Sequence, residues 1–192
     1  ANNLEERTNA ENAFLSSIDK RIQQYLIEIN KVSLSKLIKE DVVARTIPIT
    51  GTINNLVILI DFTDNDFTHQ QLAFDNLMNQ DNYLGIGSFR DYYLDNSFDQ
   101  LTINSTVVGW FNVANSMETY GANDIYGIDI NPRLLVQEAI DAAENAGLDF
   151  SQFDNDNDGK VDAVTVIHAG YGEEAGGGSN TIWSHRWKLG SY

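Results

Sequence analysis

The sequence lacks cysteine and has only two prolines among 192 residues. It therefore cannot form a disulfide or a thiolate zinc site. No apolar run approaches the ~18 residues that a membrane-spanning helix needs. Basic residues are also scarce, because 12 lysines and arginines accompany 28 aspartates and glutamates, giving a formal net charge of −16. So acidic a chain is a poor partner for nucleic acid and for anionic membranes, and it favours cations.

Several catalytic motifs are also missing. The chain has three histidines, none spaced as in the H-E-x-x-H zinc motif, and neither a G-x-S-x-G elbow nor a G-K-[ST] phosphate loop. His69 is predicted to lie on the surface, and His168 is predicted to be a hydrogen-bonded structural histidine at the end of a buried strand. His185, in the stretch WSHRW, is predicted to orient neighbouring backbone or to line a cleft.

The apolar content of 42% suits a globular core, and the length suits one sizeable domain or a domain with an appendage. Residues 1–50 form the first predicted unit, an amphipathic helix with apolar residues at spacings of three and four. These residues are Phe14, Ile18, Ile22, Tyr25, Ile29 and Val32. The unit is either an ordinary core-facing helix or a prosegment remnant or brace that lies over the main domain. The second unit comprises residues 51–192.

Predicted strands and helices alternate in the second unit, which indicates an α/β fold. The predicted strands are Leu56–Ile60, Leu101–Val108, Val161–Ile167 and a short last strand near TIWSH. The predicted helices are residues 70–79, a short helix FRDYYLDN opened by a capping box of Ser88 and Asp91, and a helix with Asn131 as N-cap, Pro132 at its first position and Gly147 as its stop.

The stretch DNDNDGKVD carries the clearest binding signal. Its spacing matches positions 1, 3, 5, 6 and 9 of a calcium loop, in which oxygen ligands surround a hard cation. The predicted calcium ligands are Asp154, Asp156, Asp158, the backbone carbonyl of Lys160, and Asp162, with Gly159 at the sharp turn and the Lys160 side chain pointing outward. Thr165 stands where an EF-hand has a bidentate glutamate, so a water or another residue would complete the site. The alternative is a solvated acidic turn.

A glycine-rich stretch, AGYGEEAGGGSN, follows the last buried strand. It lacks the following lysine or helix start that phosphate binding would need, and its glycines allow close approach to a backbone. We therefore expect an extended edge near residues 176–187 that could take a peptide by strand addition.

The stretch DFSQFDNDNDGKVDAVTVIHAGYGEEAGGGSNTIWSHRW resembles the immune inhibitor A family of secreted bacterial zinc metallopeptidases. Upstream, LVILIDFTDNDF and GSFRDYYLDNSFDQLTI resemble the same family, so the resemblance covers about residues 54–190. It implies a zincin-like fold with a mixed twisted sheet, bound calcium, zinc, and endopeptidase activity on proteins outside the cell. By analogy it implies that substrate contacts the segment Gly176–Ser184 and the adjacent residue His185. The substrate-binding residues expected on this ground are Gly176, Gly177, Gly178, Trp183, Ser184 and His185.

The resemblance also implies that a His-Glu-x-x-His helix follows the Trp-Ser-His-Arg block, and no such helix occurs before Tyr192. We therefore assign no catalytic residue and no zinc ligand in this chain. One explanation is a cleaved or truncated peptidase, inactive alone and partnered by the missing C-terminal part of its own catalytic domain. The alternatives are an inactive peptidase relative and a non-catalytic calcium-binding interaction module.

Overall fold

The computed structural model describes residues 50–189, and the predicted helix within residues 1–50 lies outside them apart from Thr50. In chain order the regular elements are β1 (Gly51–Asp61), α1 (Gln71–Asn79), α2 (Phe89–Asn96), β2 (Leu101–Asn112), α3 (Met117–Gly121), α4 (Pro132–Asn145) and β3 (Val164–His168). Short 3-10 helices occur at Tyr83–Gly85, Phe150–Phe153 and Glu173–Ala175. This alternation of strands and helices confirms the predicted α/β class.

The three described strands form a parallel sheet in the order β2-β1-β3. Leu56 in the central strand is in register with Thr106 on one side and Val164 on the other. The whole stretch Leu56–Asp61 is buried, as its uninterrupted apolar run predicts for a strand covered on both faces. A mixed sheet was predicted, but within residues 50–189 the described pairings between strands are all parallel.

One face of the sheet packs against α4. Leu56, Ile58 and Ile60 alternate along β1 and join one apolar cluster with residues of α4. The buried α4 residues of this cluster, Leu135, Ala139 and Ala143, recur every four positions, so they lie on one side of the helix. Two alanines on this side let the helix approach the sheet closely.

The opposite face packs against α1 and α2. Val57 and Leu59 point to this side, where they contact Met78 and Val107. Phe74 of α1, Phe89 of α2 and Trp110 of β2 border the same cluster. The sheet is therefore the middle layer between helices, which explains why β1 alone carries a continuous apolar run.

The helix ends follow local sequence signals. Ser88 accepts a hydrogen bond from the Asp91 backbone N–H, and the Asp91 side chain accepts one from Ser88, so the predicted capping box is confirmed. Pro132 opens α4, and Gly147 lies just past its end with a φ of +86°. Asn131 precedes α4 as predicted, but its side chain donates to the Thr119 carbonyl instead of capping the helix.

Side chains of α1 bond to the backbone of β2. The Asn79 amide donates to the Ser105 carbonyl at 2.9 Å and accepts from the Ser105 N–H at 2.9 Å. Gln71 donates to the Val107 carbonyl at 2.7 Å. These amides take the hydrogen-bonding places that a neighbouring strand would otherwise fill.

The predicted strand near TIWSH is wrong. Residues 182–189 have no strand assignment, because the N–H groups of Trp183 and Ser184 bond to side-chain carboxylates instead of to another strand. The other predicted strands form, with β2 extending four residues further to Asn112 and β3 occupying Val164–His168. No helix between residues 50 and 189 is long and apolar enough to cross a membrane.

Candidate functional site

The acidic loop leads directly into the approach to β3. Asp154, Asp156 and Asp158 each offer a carboxylate oxygen, and these three oxygens lie within 4.8 Å of one another. The chain turns sharply through Asn157 and Gly159, both of which have a positive φ, at 58° and 84°. The structure thus brings together three of the predicted calcium ligands, as their alternate spacing indicates, in an arrangement that fits one divalent cation.

Backbone N–H groups orient these carboxylates. The Asp158 N–H donates to oxygens of both Asp154 and Asp156, at 3.0 and 3.1 Å. The Gly159 N–H donates to the second Asp154 oxygen at 2.8 Å, and the Lys160 N–H donates to Asp158 at 2.9 Å. The donors hold the carboxylates on the inner side of the turn, where their mutual repulsion is greatest unless a cation is bound.

The other two predicted ligands, Asp162 and the Lys160 carbonyl, are not part of the three-carboxylate group. Asp162 lies outside the three-carboxylate group and accepts hydrogen bonds from the backbone and side chain of Asn155, at 2.9 and 3.1 Å. Asn155 in turn bonds to the backbone N–H and carbonyl of Asn54 in β1. The Lys160 side chain is 71% exposed, as an outward-pointing side chain would be, and its ammonium lies 3.7 Å from an Asp158 oxygen.

The glycines of the predicted substrate segment form a compact turn. Gly176 and Gly178 have φ values of +92° and +91°, and both face open space. A Cβ at Gly177 would come within 2.5 Å of the Tyr171 carbonyl oxygen and of the Thr181 hydroxyl. Only glycine therefore fits at position 177, and the three glycines serve to fold the turn tightly while remaining exposed.

The residues after this turn are held by carboxylates. Asp129 accepts a hydrogen bond from the Trp183 N–H at 3.0 Å, and Glu174 accepts bonds from the Ser184 hydroxyl and from its N–H, the latter at 3.1 Å. The pKa of Glu174 is lowered because the Ser184 hydroxyl and N–H stabilise the charged carboxylate. The pKa of Asp129 is raised because burial disfavours its charge, although the Trp183 N–H and His185 act in the opposite direction.

Trp183, Ser184 and His185 are consecutive and all exposed. The His185 Nδ1 lies 2.7 Å from the Trp183 carbonyl oxygen and 3.9 Å from Asp129. Trp187 follows with the Arg133 guanidinium 4.4 Å from its ring centroid, a cation–π contact. The contacts of Asp129, Glu174 and Arg133 with this segment were not predicted from the sequence. The Glu-Glu pair beside the glycine turn was the only sequence signal for Glu174. Asp129 gave no such signal, because 54 residues separate it from Trp183.

None of the three histidines belongs to a group of three or more potential metal ligands among residues 50–189. The ring nitrogens of His168 and His185 approach backbone carbonyl oxygens, and His69 packs edge-on against Phe74. Across residues 50–189, the only group of three or more potential ligands is Asp154, Asp156 and Asp158. Those three carboxylates suit a hard cation, whereas zinc in proteins prefers nitrogen and sulfur ligands.

The sequence is similar to a family of bacterial peptidases. The model of the immune inhibitor A peptidase M6 catalytic domain matches residues 61–192. Immune inhibitor A of Bacillus thuringiensis subsp. alesti is 40% identical over 125 residues, covering 55% of this chain and 18% of that protein. The pre-pro-metalloprotease PrtV of two strains of Vibrio cholerae serotype O1 is 31% identical over 176 residues, covering 71% of this chain and 19% of PrtV. The chain thus spans less than a fifth of the length of these relatives.

Proposed function

The chain belongs to the immune inhibitor A (M6) peptidase family, and on this premise we propose that it is the N-terminal part of the catalytic domain of a secreted zinc metalloendopeptidase that hydrolyses proteins. The match to the M6 catalytic-domain model over residues 61–192 carries this proposal. It includes the acidic loop, β3, the glycine turn and the segment from Trp183 to Trp187. An α/β sheet between helices is consistent with a zincin-like fold.

We assign calcium to the acidic loop. Asp154, Asp156 and Asp158 would bind the ion directly, with the Lys160 carbonyl and Asp162 as the further expected ligands. The support is the 4.8 Å grouping of three carboxylates and the N–H groups that orient them. Because Asn155 ties the loop to β1, a bound ion would stabilise the junction of β1 and β3. Millimolar extracellular calcium would fill even a weak loop of this kind.

Substrate contact is assigned to the glycine turn and to the segment that follows. Gly176, Gly177 and Gly178 would allow a peptide backbone to approach, and the side chains of Trp183, Ser184 and His185 would contact it. These residues are all exposed, and Trp183 is 52% exposed, a large fraction for an indole ring. A peptide could therefore bury apolar surface there.

The family implies zinc, but the group of potential metal ligands among residues 50–189 consists of three carboxylates and includes no histidine. We therefore assign no zinc ligand and no catalytic step to residues 50–189. The part played by the described residues is structural support and substrate contact, and we expect the 192-residue chain to have no peptidase activity by itself. Its expected partners are a protein substrate and the remainder of its own catalytic domain.

Proteolysis of fluorescently labelled casein tests this function. The 192-residue chain and the longest natural polypeptide that contains it are compared, each with and without a zinc chelator. The proposal predicts chelator-sensitive hydrolysis by the longer polypeptide only, with the products appearing as peptides of internal cleavage. Absence of such hydrolysis from the longer polypeptide would refute it.

A non-catalytic calcium-binding interaction module, or an inactive relative of the peptidases, is the second candidate. The observation that favours it is the group of three carboxylates, Asp154, Asp156 and Asp158, which suits calcium and includes no histidine. It predicts calcium binding without hydrolysis in both polypeptides, so the casein assay separates the two candidates.

A further inference from the structure

The segment from Trp183 to His185 has no regular secondary structure, yet side chains from distant elements hold two consecutive backbone N–H groups. Asp129 accepts from Trp183, and Glu174 accepts from both the N–H and the hydroxyl of Ser184. Ordering an irregular segment has an entropy cost for every residue fixed. Bonds to charged acceptors are roughly twice as strong as neutral ones, so they can hold such a segment in one conformation.

The two acceptors belong to stretches of backbone that are hydrogen-bonded to other parts of the chain. Asp129 closes a short bridge with Asn123, whose N–H donates to the Ser179 carbonyl at 3.0 Å. Glu174 belongs to the 3-10 helix Glu173–Ala175, and the Glu173 N–H donates to the carbonyl of buried Ile182 at 3.1 Å. Both acceptors therefore lie in parts of the chain that also bond to Ser179 and Ile182, just before the segment.

Folding alone gives little reason to use carboxylates here. The chain already has a net charge of −16, and the Asp129 side chain is only 5% exposed. Burying a charge is costly, and neighbouring Glu173 and Glu174 add like charge around Asp129. At Asp129 a neutral acceptor would satisfy the Trp183 N–H with a smaller electrostatic cost, so this carboxylate favours firm positioning of an exposed segment over stability.

We propose that Asp129 and Glu174 are positioning residues, which fix Trp183, Ser184 and His185 for contact with an extended polypeptide substrate. The inference rests on the proposed function. Since the carboxylates occupy the N–H groups of Trp183 and Ser184, the substrate meets exposed side chains at these two residues and adds no backbone pairing to their N–H groups. This differs from the strand addition that the glycine-rich sequence suggests.

The test measures casein hydrolysis by the longest natural polypeptide that contains the chain, with Glu174→Ala as the variant. Asp149→Ala is the matched control, because Asp149 likewise accepts from the N–H and hydroxyl of a single serine, Ser151, away from the segment. We expect Glu174→Ala to raise KM about tenfold, equivalent to about 1.4 kcal/mol, with kcat nearly unchanged. Asp149→Ala should leave KM unchanged.

Glu174→Gln separates positioning from folding. The glutamine oxygen can accept from the Ser184 N–H while its amide donates to the Ser184 hydroxyl, so most of the tenfold rise in KM should disappear. Asp129→Asn should likewise raise KM less than Asp129→Ala. Thermal midpoints of all variants show whether any has simply unfolded.

The outcomes separate the two proposals. Hydrolysis that is chelator-sensitive but has the same KM in Glu174→Ala and Asp149→Ala overturns the positioning role alone. A KM for Glu174→Gln as high as for Glu174→Ala, with both variants folded, also overturns it. Absence of chelator-sensitive hydrolysis in the unmutated polypeptide overturns the proposed function and the positioning role together.

Discussion

Replacing Asp156 by asparagine should stabilise the calcium-free chain and reduce the stability that calcium adds. Asn is nearly isosteric and keeps the oxygen that accepts from the Asp158 N–H. It removes one charge from a group whose ligand oxygens lie within 4.8 Å of one another. At that distance two carboxylates repel by about 0.9 kcal/mol in water and by about 3.5 kcal/mol at an effective dielectric constant of about 20.

The lower figure applies best here, because the loop is partly exposed and the Lys160 ammonium lies near Asp158. With two charged neighbours, Asp156→Asn should raise the calcium-free free energy of unfolding by about 1–2 kcal/mol, or several degrees in thermal midpoint for a chain of this size. In calcium at 100 times its Kd the unmutated chain gains about 2.7 kcal/mol. A tenfold weaker Kd in the variant would forfeit about 1.4 kcal/mol of that gain.

Differential scanning calorimetry of the 192-residue chain in a calcium chelator and in millimolar calcium measures both effects. Asp95→Asn, an exposed carboxylate on α2, controls for the change in net charge. We expect the variant to melt above the unmutated chain in chelator and to gain much less from calcium. A calcium-induced rise in midpoint equal to that of the unmutated chain, or no rise in either, would refute the assignment of calcium to this loop.

Three further predictions concern the fold around these sites. Ile58→Ala should lower the free energy of unfolding by about 2–5 kcal/mol in urea titrations, because Ile58 is fully buried. Asp91→Asn should lower the thermal midpoint at neutral pH. The hydrogen bond from the Ser88 N–H holds the pKa of Asp91 below its ordinary 3.8. The difference in thermal midpoint between the variant and the unmutated chain should therefore narrow as the pH falls below 3.8 and Asp91 becomes protonated. Gly121→Ala should speed hydrogen exchange at Ile182, because the new Cβ would lie 2.6 Å from its backbone nitrogen.

The elements predicted correctly from the sequence are those whose conformation depends on residues close to one another in the sequence. The run Leu56–Ile60 predicts a doubly covered strand, since only a central strand needs apolar residues on both faces. Pro132 and Gly147 mark the ends of α4 because each favours the backbone conformation required there. The alternate aspartates likewise predict a carboxylate group, because a tight turn brings residues two apart to the same side.

The features that sequence reasoning missed depend on contacts between distant residues. TIWSH has the composition of a strand, but Asp129 and Glu174 take the N–H groups that would have paired. Asp129 itself looks like any other acidic loop residue, among 28 aspartates and glutamates in the chain. Nothing within a few positions of it indicates that it becomes buried against Trp183.

The side-chain amides of Asn79 and Gln71 hydrogen-bond to the outer edge of β2 and so affect which strands could pair with that edge. Because the two amides occupy the outward N–H and carbonyl of Ser105 and the outward carbonyl of Val107, another strand cannot pair with β2 at these groups. The helix α1, which covers one face of the sheet, therefore also protects part of its β2 edge.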